Sequence, residues 1–389
     1  MNQFDDNDWN EDVIEDTQPG DFESLVVYSR DWTVETIFSQ IDNGNIDLNP
    51  KFQRRNVWDD QKRSKLIESL ILGLPIPEIV LAEHPVQKKS FVVIDGKQRL
   101  LTIAGFIKPE FGHWDKPELR DLQIRIGLDG ANYAKLSSSA KFQNDYRKLL
   151  NADIRCTVVS SYKKDDVLYS IFHRLNTTSV PLSTQELRQV LHRGKFADYL
   201  VEITNSPQPI HSVLKLTGPD KRLRDIETIL RFVSVELFGG KYKGNLKSFL
   251  DDSMDSLNDD WEKYEQEVQR IYTRLGKAIK LLSKMLGKEN IGRKYVNGKW
   301  ERRFNKVLFE VEAYYFMHLI DVKITEGQKK IFIEGFKNLC DKNKEFRSSI
   351  ESTTKTNERY QVRFSLFQEL VNKVFRKKID RVPITMLEE

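Results

Sequence analysis

Val92-Val93-Ile94-Asp95-Gly96-Lys97-Gln98-Arg99-Leu100-Leu101-Thr102-Ile103 is the stretch on which the reading of this chain turns. Three β-branched residues running into Asp-Gly read as a buried strand that ends in a tight turn. Lys97-Gln98-Arg99 then opens a helix whose apolar residues continue to Phe106. The junction brings Asp95, Gln98 and Arg99 together where the first N–H groups of a helix have no intrahelical acceptor, a setting suited to a phosphate or a nucleotide. A plainer reading stands beside it, with Asp95-Gly96 as a turn and Arg99 as a solvated helix residue.

Upstream, 79–82 reads as a strand joined to 91–94 by a short loop, which predicts a hairpin. Before it, 61–72 is a helix with Leu66, Ile67, Leu70 and Ile71 on one face, broken by Gly73-Leu74-Pro75-Ile76-Pro77. Phe52-Gln53-Arg54-Arg55-Asn56-Val57-Trp58 sets two arginines and a glutamine between aromatics just ahead of that helix. The rigid donor fork of arginine suits phosphate. Trp58 reads as a core or staple residue, with base stacking as the alternative. Residues 34–41 form a short helix capped by Thr33 and ended by Gly44, and 46–48 is strand-like.

Downstream, 154–159 is a strand that carries Cys156 into the core. Helix 165–175 ends in His173-Arg174-Leu175-Asn176-Thr177-Thr178. Ser183-Thr184-Gln185-Glu186 matches a capping box for a helix over 187–191. Ser183 and Glu186 thereby have a sufficient structural role. Arg174 and Asn176 have none, and a charged helix end beside a polar loop either closes a site or is surface.

The chain has 389 residues, 39% hydrophobic and 31% charged, which predicts a globular protein of two domains or one with a large extension. No apolar run approaches the ~18 residues of a membrane span, and no secretory signal is visible, so the expected compartment is the cytoplasm. Only Cys156 and Cys340 are present, far apart, which argues against zinc or disulfide frameworks. Residues 1–23 hold nine acidic groups and no Lys or Arg, so removing them from the net charge of +4 leaves +13 for the remainder. Such a segment reads as a disordered acidic arm, either shielding a basic surface or serving as a solubilising tail.

The second half reads as helical. Leu257, Trp261, Tyr264, Val268, Ile271, Leu275, Ala278, Leu282 and Met285 recur at 4-3 spacing, a heptad seam on one long helix. The seam either packs within its own bundle or joins two copies as a homodimeric coiled coil. Residues 270–306 hold twelve Lys or Arg against Glu289 and Glu301, with Tyr295 and Trp300 among the cations. That density predicts either a solvated face or a DNA contact through Arg270, Arg274, Lys277, Lys284, Arg293, Lys294, Arg302 and Arg303. Helices over 304–320, 326–341 and 357–377 complete the bundle.

The ordered set Phe52-Gln53-Arg54, Trp58, Leu66-Ile67-Glu68-Ser69, Gly73-Leu74-Pro75-Ile76-Pro77, Asp95-Gly96-Lys97-Gln98-Arg99, Ile171-Phe172, Leu175-Asn176-Thr177, Leu182-Ser183 and Glu186-Leu187 resembles the domain of unknown function numbered 262, the DGQQR family. It is similar to the N-terminal domain of GmrSD modification-dependent restriction enzymes over roughly residues 30–240. The resemblance implies a ParB/sulfiredoxin-like domain that binds, and in relatives often hydrolyses, a nucleoside triphosphate and works in phage defence. By position Gln53 and Arg54 match the first polar motif. Asp95, Gly96, Gln98 and Arg99 match the DGQQR box, and Asn176 and Thr177 the Asn-Thr motif. Lys97 departs from the glutamine of the box, yet a long cation still faces a phosphate. Many relatives carry a C-terminal HNH-type nuclease domain, which needs clustered His with Asn or Asp around a metal. Only His318 follows residue 240, which places any DNA cleavage with a separate nuclease partner or with the first domain.

The expectation is an α+β chain: an acidic arm over 1–24, a ParB/sulfiredoxin-like small mixed sheet with helices over 25–240, and an all-α domain over 241–389. Asp95, Gln98 and Arg99 are expected to act on a nucleoside triphosphate (ATP, GTP or CTP) with Mg²⁺. Gln53, Arg54, Gly96, Lys97, Arg174, Asn176 and Thr177 are expected to bind it. The alternative is a non-catalytic ParB-like DNA-binding or assembly module.

Overall fold

The computed structural model describes residues 18–48, 58–84, 87–111, 114, 116–175, 183–351 and 356–379. The described chain divides into two units, one up to Leu191 and one from His192 onward.

The first unit is built on a five-stranded mixed sheet. Its elements are β1 (Val26–Thr33), α1 (Val34–Asp42), β2 (Ile46–Asp47), α2 (Asp60–Leu72), β3 (Ile79–Glu83), β4 (Phe91–Asp95) and α3 (Lys97–Ile107). They continue with α4 (Tyr133–Ser138), α5 (Gln143–Leu150), β5 (Asp153–Ser160), α6 (Asp165–Leu175) and α7 (Thr184–Leu191). The strand order is β1-β5-β3-β4-β2. The expected 79–82/91–94 hairpin is present, with β3 and β4 antiparallel, while β5 runs parallel to β3 and β2 parallel to β4. The edge strand β1, paired with β5 over its whole length, was not read from the sequence. Its Val26-Val27-Tyr28-Ser29-Arg30 run alternates poorly, and its side chains are mostly exposed.

Because successive strand side chains point to opposite faces, each central strand feeds two cores. Ile79, Leu81, Phe91, Val93, Ile154, Cys156 and Val158 pack with the buried faces of α1, α2 and α3. Val80, Ala82, Val92, Ile94 and Val159 pack with Val167, Leu168 and Phe172 of α6 and with Leu187 and Val190 of α7. Trp58 packs at the margin of the first core. Cys156 is fully buried, as expected, and burial pushes its thiol up to about 12.

The second unit is helical. It comprises α8 (Lys195–Thr204), α9 (Pro209–Val213), α10 (Arg224–Phe238), α11 (Leu246–Asp259) and α12 (Trp261–Leu286). A small hairpin, β6 (Tyr295–Val296) with β7 (Lys299–Trp300), leads to α13 (Lys306–Met317), α14 (Glu326–Lys342), α15 (Lys344–Glu351) and α16 (Asn357–Phe375). The helices between 192 and 240, assigned from the sequence to the first domain, pack here: α10 against α8, α11, α12 and α13.

The heptad seam is not one helix. It breaks at Asp260, whose carbonyl accepts from Lys263 and Tyr264 N–H and so starts α12 afresh, leaving Leu257 on α11. Asn258-Asp259-Asp260 is a run of poor helix formers, which the apolar spacing overrode in the reading. From Trp261 to Met285 the seam is buried, Tyr264 excepted, against α8, α9, α10, α13 and α14. The seam packs within its own bundle. Among the described residues no helix is long and apolar enough to cross a membrane.

Candidate functional site: the strand-to-helix junction at Asp95–Arg99

Asp95 ends β4 and Lys97 begins α3, so the whole turn is the single residue Gly96. Gly96 sits at φ +94°, in the region that side chains disfavour. A Cβ there would lie 2.4 Å from Ile79 Cδ1 and 3.1 Å from Arg99 Nη2. The turn needs glycine for both conformation and space.

Arg99 closes the junction. Its Nη2 donates to Asp95 Oδ2 at 3.0 Å and to the Glu78 carbonyl at 3.0 Å. The arginine is only 8% exposed and Asp95 is half-buried. The pair spans the turn, from the last residue of β4 to the first turn of α3. Glu78 is itself tied to β5, its Oε2 accepting from the Thr157 hydroxyl at 2.8 Å.

Gly96 offers no side chain to cap α3, and no acidic residue stands in its first turn. The amino end of α3 therefore keeps its positive character. Lys97 and Gln98 are partly buried there. Burial lowers the Lys97 ammonium pKa, and the Glu186 carboxylate acts against that shift. Glu186 is held by the expected capping box: its Oε2 accepts from Ser183 N–H at 2.6 Å, and Ser183 Oγ accepts from Glu186 N–H at 3.1 Å. Gln98 Oε1 is buried without a hydrogen-bond partner, which in a folded interior is an unsatisfied acceptor.

Of the residues expected at the site, Asp95, Gly96, Lys97, Gln98 and Arg99 are brought together. Arg174 is exposed in the last turn of α6, a helix that packs on β4. Gln53, Arg54, Asn176 and Thr177 lie outside the described residues. The sequence reading missed Glu78, which acts through its backbone carbonyl and so leaves no side-chain signal. It also missed Glu186 as the counter-charge of Lys97, because its cap role already explained it.

The cations of 270–306 scatter. Arg293 is 1% exposed, its Nη1 donates to the Val213 carbonyl at 3.1 Å, and its guanidinium lies 4.9 Å from the Phe304 ring centre. Its inclusion among surface contacts is corrected: this charge is buried inside the bundle. Arg274 donates to the Met317 carbonyl at 3.1 Å, and Lys294 is paired with Glu301 and Glu351. Arg270 is exposed and paired with Glu267 at 2.6 Å, and Lys277, Lys284, Arg302 and Arg303 are exposed. His318 caps the end of α13 against Tyr314. Among the described residues no three His, Cys, Asp or Glu are gathered as a metal site would require.

Residues 34–193 match the family model of the GmrSD restriction endonuclease, N-terminal domain. Over that segment, less than half of the chain, the protein is similar to this family. The match runs from the first residue of α1 to just past α7 and so includes β2 to β5 and the whole junction, and β1 lies before it. No curated protein and no solved structure matches the chain.

Proposed function

We propose that the chain is a nucleotide-binding, DNA-associated component of a restriction system, with the nucleotide phosphates held at the Asp95–Arg99 junction. The GmrSD N-terminal domain supports the restriction role. The observation that carries the nucleotide is the uncapped amino end of α3, with Lys97 and Gln98 in its first turn. Backbone N–H groups at such a terminus favour an anion, and a lysine adds a point charge. Gln98, whose amide oxygen is buried and unsatisfied, turns toward a ligand donor or a nucleophilic water.

Arg99 spends one nitrogen on Asp95 and on the Glu78 carbonyl, so it is assigned a positioning role that fixes the carboxylate. A Mg²⁺ ion fits this site only as one carried mainly by substrate phosphates. Asp95 is the single carboxylate at the turn, and one of its oxygens already serves Arg99. When bound, the ion would neutralise phosphate charge, and Asp95 would hold it. The DNA contact is assigned to the exposed cations of α12, Lys277 and Lys284.

A second reading, binding without turnover, is favoured by the same Arg99 contacts, since they account for Asp95 and Arg99 as a structural latch. The purified chain incubated with ATP, GTP and CTP and Mg²⁺, with and without DNA, separates the two. Turnover abolished by Asp95→Ala and Lys97→Ala supports hydrolysis at the junction. Binding that Lys97→Ala weakens, with no turnover, supports the second reading. Binding and turnover unchanged in both variants would remove the site from this junction.

A further inference from the structure

The second unit carries a concave cationic feature that the proposed function does not use. The connection from β7 to α13 and the end of α15 line a half-open cavity of about 650 Å³. Its charged wall is Lys294, Arg302, Arg303 and Lys306 against Glu301 and Glu351. Both carboxylates already have a partner in Lys294, at 3.2 Å and 2.6 Å respectively. Lys306 faces Glu227 at 3.6 Å. Arg302 and Arg303 are exposed at the wall.

Like charges crowd around this wall. Burial, together with the charges of Arg293 and Arg302, holds the Lys215 ammonium pKa below its ordinary value. Cations kept together are relieved by an anion. The walls are tied in place: Asn305 Nδ2 donates to the Ile350 carbonyl at 2.8 Å, Asn305 N–H to the Gly292 carbonyl at 2.8 Å, and Glu301 N–H to the Lys294 carbonyl at 2.9 Å. Phe304, Val307 and Ile350 supply apolar lining.

We propose that this cavity binds a phosphorylated small molecule of nucleotide size, with Arg302 and Arg303 gripping its phosphate. The volume lies within the ~300–1,000 Å³ of small-molecule sites. Two adjacent guanidinium forks match phosphate oxygens in a way that lysine ammonium groups do not. Glu301 and Glu351 accept from the hydroxyl or amino groups of such a ligand, whereas they repel the continuous phosphate backbone of a duplex. The site is formed by residues of the second unit alone and does not depend on the reading of the Asp95–Arg99 junction.

The test is calorimetric titration of the full chain with inorganic pyrophosphate, AMP, magnesium-free ATP and a short DNA duplex. The proteins compared are the wild type, Arg302→Glu/Arg303→Glu, Arg302→Lys/Arg303→Lys and Lys97→Ala. The melting temperature of each variant checks its folding, and the lysine pair keeps both charges where the charge-reversed chain does not. Pyrophosphate and AMP affinity is expected to fall at least about tenfold on charge reversal, to fall less with lysine, and to survive Lys97→Ala. Three results would overturn the proposal. One is unchanged affinity in the charge-reversed chain. Another is a wild type that takes neither small ligand. The third is a response confined to the duplex, which would return this wall to DNA.

Discussion

Gly96 shows how much one residue sets at the junction. Alanine there meets Ile79 at 2.4 Å and must adopt φ +94°. Gly96→Ala is expected to cost roughly 1–3 kcal/mol by urea denaturation and to displace Arg99 from Asp95. An unchanged midpoint would show that the turn has another way to close. Glu312 carries a second residue-scale prediction. It is fully buried, and burial pushes its carboxyl up to about 8, although the Gly292 N–H at 2.8 Å and the Arg293 charge pull it down. A carboxyl with a raised folded value binds its proton more tightly folded than unfolded. Its contribution to stability is therefore complete below the ordinary value of 4.5 and is lost as pH rises toward about 8. Stability compared near both ends of that window should fall with pH in the wild type. In Glu312→Gln that part of the slope should vanish.

At the scale of elements, α2 does more than pack. Glu68, 5% exposed, accepts backbone N–H from Ile124 at 2.9 Å and Arg125 at 2.6 Å, with a longer contact of 3.4 Å from Gln123. Burial raises its carboxyl, and these N–H donors outweigh burial, so its pKa is lowered overall. Stability from this latch is present above the ordinary Glu value and is lost as pH falls below it. Glu68→Ala should remove a charged acceptor from the part-buried N–H groups of Ile124 and Arg125, cost about 1–3 kcal/mol and open the 120–128 segment to limited proteolysis. Resistance equal to wild type would assign the loop to other anchors, such as the Arg125–Asp145 pair. The elements themselves were legible where a cap or a breaker marked them. Thr33 caps α1, Gly73 ends α2 in a left-handed turn, and Ser183 with Glu186 starts α7. Segments without such marks, β1 and α5 among them, carry no local signal, and α4 goes unread although Asn132 caps it.

For the whole molecule, the decisive contrast is between pattern and burial. The basic run at 270–306 is one feature in the chain but several in space, because a helix, a hairpin and a loop turn its cations to different surroundings. The α12 seam behaves likewise: a heptad repeat states that a face is apolar and leaves open what covers it. Here α10, α13 and their neighbours cover it. Leu275→Ala should cost about 2–5 kcal/mol through the cavity it leaves. Its melting temperature should also be independent of protein concentration, because the lost contacts are within one chain. A melting temperature that climbs with concentration would point instead to an interface between copies.

Local signals in the sequence by themselves determined the strand-turn-helix at Asp95–Arg99, the hairpin before it, the caps of α1 and α7 and the helical second half. Those features depend on residues a few positions apart, through glycine torsion, capping oxygens and the periods of strand and helix. Only the tertiary structure decided which cations are buried, which carboxylate answers Lys97, what covers the α12 seam, and that Arg302 and Arg303 line a cavity. Those facts depend on contacts between segments distant in sequence. A charge or an apolar side chain carries no local record of the partner that will desolvate it.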